Sequence, residues 1–156
     1  MKEQKGNLFE LDVDVICILT NGKTDINGNA VMGAGVALQA KRYDPRLPVY
    51  LGQLLQAKGN KVHSICNSDK YGMWSFPTKH HWKNPSDLKL IETSCKQAME
   101  LADEWDHFRM LTPLTGNHVR IALPRPGCGL GKLDWETQVK PICEKGLDDR
   151  FVVVNR

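Results

Sequence analysis

Short apolar runs rich in β-branched residues recur along the chain, separated by longer segments with helical periodicity. The runs are of strand length, and because they are continuously apolar they predict strands that are covered on both faces. They lie at 13–19, 119–123 and 151–154, with weaker candidates at 62–66 and 73–76. Helical patterns cover 35–43, 48–57, 86–105 and 135–145. The alternation of the two kinds of segment predicts one three-layer α/β domain over 1–156.

The segment 86–105 has the clearest helical pattern. Pro85 precedes it, Ser86 is the expected first residue, and apolar residues follow at helical spacing from Leu88 to Ala102. At 135–145 the predicted helix begins after Asp134, which is expected to cap it. The pattern leaves the order of the strands open, and it also allows an antiparallel strand at the edge of the sheet.

Composition agrees with a single globular domain. The chain has 156 residues, of which 41% are hydrophobic and 25% charged, which argues against a disordered or fibrous protein. Lys and Arg number 21 against 18 Asp and Glu, a net charge of +3. This charge permits a polyanionic partner without requiring one.

The cysteines and the lack of long apolar runs bear on cellular location. The five cysteines are scattered without a Cys-x-x-Cys pair, so we expect reduced, mostly buried thiols rather than disulfides or a zinc site. No run approaches the roughly 20 apolar residues that cross a bilayer, and residues 1–6 lack the apolar core of a signal peptide. The expectation is a cytoplasmic protein without a membrane partner.

Two glycine-rich segments, at 27–35 and 126–132, each follow a strand-like run and precede a helix. Glycine lets the backbone approach a ligand closely, and the helix that follows presents its positive end to an anion. Either segment alone is equally well explained as a tight turn. Together they suit a ligand with two phosphates.

Two common nucleotide motifs are excluded. A Walker A loop would need glycine where the chain has Pro126, and a hydroxyl residue where it has Leu133. The dinucleotide fingerprint would need a third glycine or alanine where the chain has Leu38.

Four segments, in this order and at these separations, resemble those of the macrodomains, a family that binds ADP-ribose. They are 5–9, 14–21, 31–37 and 123–131. The resemblance implies a three-layer α/β/α fold with a mixed, mostly parallel six-stranded sheet, a diphosphate held between the glycine loops, and no cofactor. The ADP-ribose-binding residues that it implies are Asn7, Leu8, Met32, Gly33, Ala34, Gly35, Val36, Pro126, Gly127, Cys128, Gly129, Leu130 and Gly131.

Within the macrodomains, segments 76–82 and 129–135 are similar to the signature segments of the DNA ADP-ribosyl glycohydrolase antitoxins. This similarity implies that Lys79 is the catalytic lysine and that Asn21 orients the distal ribose. Lys79 could attack the opened sugar as a nucleophile or stabilise the leaving group as a cation, and both roles stay open.

The chain departs from the family pattern at three positions. Asn7 stands where the adenine-binding aspartate is usual, and it keeps an accepting oxygen but loses the charge. Ile18 replaces the first asparagine of the usual pair. Gly131 stands where a related group of glycohydrolases has an acidic residue, so a lysine–aspartate pair is not expected here.

Segment 79–83 combines lysines, histidines and Trp82. The composition is typical of a groove that stacks bases, and it also fits a loop whose Trp82 caps the core. The neighbouring side chains of His80 and His81 point apart, so no metal site is predicted. Cys128 is open to two interpretations, a thiol of lowered pKa or a small residue that fills a turn.

The resulting hypothesis is a monomeric ADP-ribosyl glycohydrolase that acts on ADP-ribosylated DNA, RNA or another conjugated target. A nucleic-acid base is the favoured attachment site. The alternatives are a non-catalytic reader of ADP-ribose, a phosphatase acting on ADP-ribose 1″-phosphate, and an unrelated α/β nucleotide-binding protein.

Overall fold

The computed structural model describes residues 1–110 and 117–156, and its centre is a six-stranded β-sheet. The strands are β1 (Lys2–Lys5), β2 (Val15–Asn21), β3 (Ser64–Asn67), β4 (Gly72–Lys79), β5 (Ile121–Pro124) and β6 (Phe151–Asn155). Their order across the sheet is β1-β6-β5-β2-β4-β3. Neighbouring strands are parallel except β3 and β4, which pair antiparallel at one edge. The mixed, mostly parallel sheet expected from the resemblance is confirmed.

Helices cover both faces of this sheet. They are α1 (Gly35–Tyr43), α2 (Leu47–Lys58), α3 (Leu88–Met110) and α4 (Lys140–Gly146). The predicted bounds of α1 are confirmed, whereas the ends of the other predicted helices shift. Within the described residues, none of the helices combines the length and apolarity that crossing a bilayer requires.

The start of α3 was predicted two residues too early. The carbonyl of Asp87 accepts the first helical hydrogen bond, from the Ile91 N–H at 3.0 Å. The carboxylate of Asp87 accepts the Lys89 N–H at 2.9 Å. Asp87 therefore caps the helix. The N–H of Ser86 instead donates to the carbonyl of Gly131 at 3.0 Å.

The predicted helix at 135–145 has two parts. Asp134 caps it as expected, with its carboxylate accepting the Thr137 N–H at 2.8 Å. A π-helical turn over Trp135–Val139 comes first, and α4 follows. Pro141 explains the irregularity, because it has no N–H to donate to the carbonyl of Thr137 and its ring would clash with that group.

Alternation along the strands builds two cores. Successive side chains of a strand point to opposite faces, so Val15 and Cys17 face one layer while Ile16 and Ile18 face the other. The first face packs against α3 and α4, and the second against α1 and α2. Both faces of the central strands are buried, which is why the sequence shows continuous apolar runs.

Strand β1 was not predicted. All four of its residues are exposed and none is apolar, so it has no hydrophobic signal. Its backbone pairs with β6, in a register that places Lys2 beside Val152 and Lys5 beside Asn155. The carboxylate of Glu3 adds polar contacts with Trp135 and Lys140. Charged side chains on such an edge strand hinder pairing with other chains.

The sheet topology places five carboxyl ends at one edge. Strands β1, β2, β4, β5 and β6 run in the same direction and end at Lys5, Asn21, Lys79, Pro124 and Asn155. Ligand sites in open α/β sheets form outside this edge.

An ion network joins the last turns of α3 to Arg150, which directly precedes β6. Arg150 donates to Asp106 at 2.9 Å and to Asp103 at 2.8 Å, while Asp106 also accepts the Val119 N–H at 2.6 Å. Burial acts to raise the pKa of Asp106, but the hydrogen bonds from Val119, His118 and Arg150 outweigh it and hold that pKa below its usual value.

Arg150→Met is expected to lower the free energy of unfolding by about 3 kcal/mol, because it leaves the Asp106 carboxylate buried without its cation. The side chains of Arg150 and Asp106 are each only 12% exposed. Arg46→Met is the control. It also removes the cation of an ion pair, with Asp44, but the Arg46 side chain is 72% exposed. Urea unfolding of both variants checks this. If Arg150→Met and the wild type had the same urea midpoint, the network would add nothing to stability.

Candidate functional site

A cleft of about 410 Å³ lies at the carboxyl edge of the sheet. Four separate parts of the chain line it: the turn after β1, the start of α1, the loop after β5, and the end of β6. The lining residues are Gly6, Asn7, Leu8, Gly35, Val36, Gln39, Pro124, Arg125, Cys128, Gly129, Val154, Asn155 and Arg156. Residues from both glycine-rich segments thus face the same cleft.

The first glycine loop delivers the start of α1 to the cleft. Gly35 has φ +57°, a conformation that favours glycine, and a Cβ on either Gly33 or Gly35 would meet no atom within 4 Å. Ala34 precedes the helix without a side-chain cap. The first N–H groups of α1 therefore have no capping side chain, as at helix ends that bind anions.

The second glycine loop divides into a packed part and an open part. A Cβ on Gly127, which has φ +73°, would lie 2.9 Å from both Leu133 Cδ1 and Ser86 Cβ. Gly131 also packs closely against Ser86. Gly129 is exposed, and a Cβ there would meet no atom within 4 Å. The packed glycines fix the loop on the start of α3, and the open glycine faces the cleft.

The charge at the cleft is positive. Arg125 and Arg156 line it, and no Asp or Glu does. The guanidinium of Arg125 lies 5.1 Å from the centroid of the Trp135 ring, and one of its nitrogens is 3.8 Å from Glu3. Its Nε is buried with no hydrogen-bond partner among the described residues. An anion is the ligand that this lining suits.

Glu3 anchors the group behind Arg125. Its carboxylate accepts the Trp135 indole N–H at 3.0 Å and pairs with Lys140 at 2.9 Å. The hydrogen bond from Lys140 is the main cause that lowers the pKa of Glu3. The ring of Trp135 is thereby fixed beneath the guanidinium of Arg125.

Lys79 lies at the end of β4, next to the second glycine loop. Its Nζ donates long hydrogen bonds to the carbonyls of Leu130, at 3.4 Å, and Trp82, at 3.5 Å. Leu130 directly follows Gly129, which lines the cleft. The amine therefore contacts a residue that is next to the cleft lining in the chain.

Asn21 is beside Lys79 in the sheet, at a register shift between β2 and β4. Its amide nitrogen donates to the carbonyl of Val31 at 3.0 Å, and its oxygen accepts the Lys23 N–H at 2.9 Å. The Asn21 side chain thus binds the backbone at both ends of the loop that leads to α1. One of its two amide hydrogens is not used in these bonds.

Asn60 ties the ends of β2 and β4 together. Its amide nitrogen donates to the carbonyl of Lys79 at 3.0 Å, and the Gly22 N–H donates to the carbonyl of His80 at 3.2 Å. A Cβ on Gly22 would lie 2.8 Å from the same amide nitrogen. The backbone that carries Lys79 is thus closely packed.

Asn7 and Leu8 both line the cleft. The side-chain oxygen of Asn7 accepts the Phe9 N–H at 3.0 Å and caps a short 3-10 turn over Leu8–Glu10. The side chain of Leu8 is buried. The asparagine that replaces the usual aspartate therefore has a structural partner.

Cys128 fills its turn. Burial raises the pKa of its thiol to about 11, and Sγ donates to the carbonyl of Pro126 at 3.3 Å. The interpretation as a thiol of lowered pKa is wrong.

The segment after Lys79 does not cover the core. Trp82 is 47% exposed, its ring stacks on His81 at 5.5 Å, and the Lys83 amine lies 5.2 Å from its centroid. His80 pairs with Asp87 at 2.9 Å. Of the two interpretations of this segment, the core cap is wrong.

The structure thus brings together part of the predicted site. The predicted residues that line the cleft are Asn7, Leu8, Gly35, Val36, Cys128 and Gly129. Those outside its lining are Asn21, Met32, Gly33, Ala34, Lys79, Pro126, Gly127, Leu130 and Gly131. Of the second set, Ala34, Pro126, Gly127 and Leu130 are next to a lining residue in the chain. Met32, Pro126, Gly127 and Gly131 are buried in the loop bases.

Sequence reasoning missed several lining residues. They are Gly6, Gln39, Pro124, Arg125, Val154, Asn155 and Arg156. Two signals were present: Gln39 comes one helical turn after Gly35, and Asn155 directly follows the predicted strand 151–154, whose carboxyl end shares the edge with the loops. In the part of the chain that the structure describes, no three His, Cys, Asp or Glu side chains are grouped to hold a metal ion.

No family model matches the chain. Among curated proteins, a Thermus aquaticus DNA ADP-ribosyl glycohydrolase is 29% identical over 155 residues, which cover 92% of this chain and 37% of the relative. A Mycobacterium tuberculosis protein of the same name is 30% identical over 137 residues, covering 84% and 34%. The chain therefore spans about a third of the length of these relatives.

Solved structures match over the whole chain. The macrodomain of Thermus aquaticus DarG has a TM-score of 0.72 and 28% identity, covering 99% of this chain and 97% of that one. The macrodomain of Mycobacterium tuberculosis DarG has a TM-score of 0.73 and 23% identity, with the same coverage. Thermosipho africanus DarTG in complex with ADP-ribose has a TM-score of 0.72 and 21% identity, covering 97% and 40%. With its sheet order, its two glycine loops and these relatives, the chain belongs to the macrodomain family.

Proposed function

We propose that this macrodomain binds ADP-ribose in the cleft and hydrolytically removes ADP-ribosyl groups from a nucleic-acid base. The observation that carries the proposal is the position of Lys79, whose amine contacts the carbonyl of Leu130 beside the cleft-lining Gly129. The relatives named DNA ADP-ribosyl glycohydrolase support this reaction and this class of target.

The cleft suits a nucleoside diphosphate sugar. The start of α1 and the open Gly129 offer backbone N–H groups from two sides, as a bridging diphosphate requires. Arg125 and Arg156 add positive charge. Asn7 and Asn155 add amide groups to the lining. In this proposal the diphosphate lies between the glycine loops and the distal ribose extends toward Lys79.

Hydrolysis would break the bond between the anomeric carbon of the distal ribose and the target atom. The oxygen of water bonds to the anomeric carbon, and a proton passes to the departing base. The ammonium of Lys79 would supply that proton or stabilise the negative charge on the base. Alternatively, its neutral amine would attack the anomeric carbon of the opened sugar, so that the bond to the base breaks and the base leaves with a proton. Water then hydrolyses the resulting imine, which releases ADP-ribose and restores the amine.

A protein that binds ADP-ribose without hydrolysing the bond to its target is the second candidate, because the chain has Gly131 where a related group of glycohydrolases has an acidic residue. Both acceptors that Lys79 contacts are backbone carbonyls rather than carboxylates. A lysine that turns over substrate here would have to act without a carboxylate at position 131.

We also propose that residues 1–156 form a single macrodomain that works as a monomer, since elements of one chain build the whole cleft. The free cysteines, three of them buried, suit the reducing cytoplasm.

Lys79→Ala is expected to lower kcat on ADP-ribosylated DNA by about a hundredfold to ten-thousandfold, because the proton donor or nucleophile is lost. The Kd of free ADP-ribose stays close to wild type, since Lys79 does not line the cleft. Lys79→Arg separates the two roles, because it keeps the charge but cannot form the imine. Product release and calorimetric titration are the measurements. Unchanged turnover by Lys79→Ala would contradict the proposal, and binding without turnover by the wild type would favour the reader.

Two glycines of one loop give a second, independent test. Gly129→Leu should keep the melting temperature, because a Cβ there meets no atom within 4 Å. It should raise the Kd of ADP-ribose by about tenfold or more, because the side chain would occupy the space of the ligand.

The matched control, Gly127→Ala, should lose about 2 kcal/mol of stability, because its Cβ would crowd Ser86 and Leu133 in a left-handed conformation. Thermal unfolding and calorimetry distinguish the two effects. Unaltered affinity in Gly129→Leu would mean that ADP-ribose does not bind against this loop.

A further inference from the structure

The turn after β4 carries an exposed aromatic surface that the proposed reaction does not use. Trp82 is 47% exposed, in contrast to Trp74 and Trp135, which are buried. An indole combines a large apolar face with a polar N–H, and such rings are enriched at binding surfaces.

Local hydrogen bonds fix the conformation of this surface. The Asn84 N–H donates to the carbonyl of His81 at 3.1 Å, and the Lys83 N–H donates to His81 Nδ1 at 3.1 Å. The imidazole of His81 then stacks on the indole of Trp82, with ring planes 29° apart. The ring is therefore oriented before any ligand arrives, which reduces the entropy lost on binding.

A positive charge lies over the ring. The Lys83 amine lies 5.2 Å from the centroid of the indole, and segment 79–84 contains no acidic residue. Asp87 is the acidic partner of this segment, and it pairs with His80 on the exposed side. An aromatic ring with a cation over it matches a nucleotide, which has a flat base and an anionic phosphate.

The surface is continuous with the proposed reaction site. The carbonyl of Trp82 accepts a hydrogen bond from Lys79 Nζ, and the same amine contacts Leu130. A base attached to the ribose at Lys79 would have its neighbour in the strand close to Trp82.

We propose that Trp82, with His81 and Lys83, stacks on the unpaired base next to the ADP-ribosylated nucleotide and neutralises its phosphate. This inference rests on the proposed function, because it places the modified base at Lys79. A base inside a duplex has both faces stacked on its neighbours, so the surface would select single-stranded or locally opened nucleic acid. Trp82 is thus a positioning residue for the flanking nucleotide.

The test compares an ADP-ribosylated single strand of about eight nucleotides with an ADP-ribosylated mononucleoside, which has no flanking base. For Trp82→Ala, the ratio of kcat/KM on the strand to kcat/KM on the nucleoside should fall about tenfold to a hundredfold. Trp82→Phe keeps an aromatic ring and should restore most of the ratio. An equal loss on both substrates, or no loss, would overturn the inference.

A binding measurement separates this inference from the proposed reaction. Anisotropy of a labelled, unmodified single strand should show weaker binding to Trp82→Ala than to the wild type or Trp82→Phe, and a duplex of the same sequence should bind more weakly. Lys83→Gln should reduce the salt dependence of binding. Lys2→Gln, a change at the amino end of β1, is the matched control and should behave as wild type.

Each outcome bears on one of the two claims. If the wild type releases nothing from either substrate, the proposed reaction fails, and the anisotropy alone decides whether Trp82 binds bases. If turnover is normal while Trp82→Ala binds and cleaves the strand like the wild type, the stacking surface is disproved and the proposed reaction stands.

Discussion

The parallel pairing of β2 with β4 and with β5 is the constraint on which the site depends. It forces the carboxyl ends of these strands to one edge, so that the chain must leave the sheet there at three neighbouring points. The first glycine segment follows β2, the Lys79 turn follows β4, and the second glycine segment follows β5. Sequence-distant segments meet because backbone hydrogen bonds align their strands.

The second glycine loop is held by close packing, which leaves no room for a side chain at two of its glycines. Gly127 and Gly131 press against Ser86 at the start of α3, and Ser86 in turn donates its N–H to the carbonyl of Gly131. This contact joins the loop after β5 to the helix after β4. The carbonyl of Leu130 then lies within hydrogen-bonding distance of Lys79 Nζ. Some glycines of the motif thus serve the fold, so that Gly129 can be open to a ligand.

The sequence predicted the elements whose energetics are local or hydrophobic, and it failed where pairing or charge decides. Burial on both faces makes β2, β5 and β6 visible as apolar runs. Strand β1 is held by backbone pairing with β6 and by the polar contacts of Glu3, and therefore has no such signal. Likewise the glycine loops follow from composition, but the contacts of Arg125 with Trp135 and Glu3 do not. Those partners are distant in sequence, so no periodicity could have identified them.

Two asparagines of the predicted site are also explained by local turn structure. Asn7 and Asn21 both use their side-chain oxygens on N–H groups two residues ahead, a local bond that asparagine forms in turns with or without a ligand. A turn therefore accounts for each residue by itself. What distinguishes them is position: Asn7 lines the cleft, and Asn21 borders Lys79 in the sheet. A ligand would bind to groups already fixed by the fold, and preorganisation of this kind lowers the entropic cost of binding.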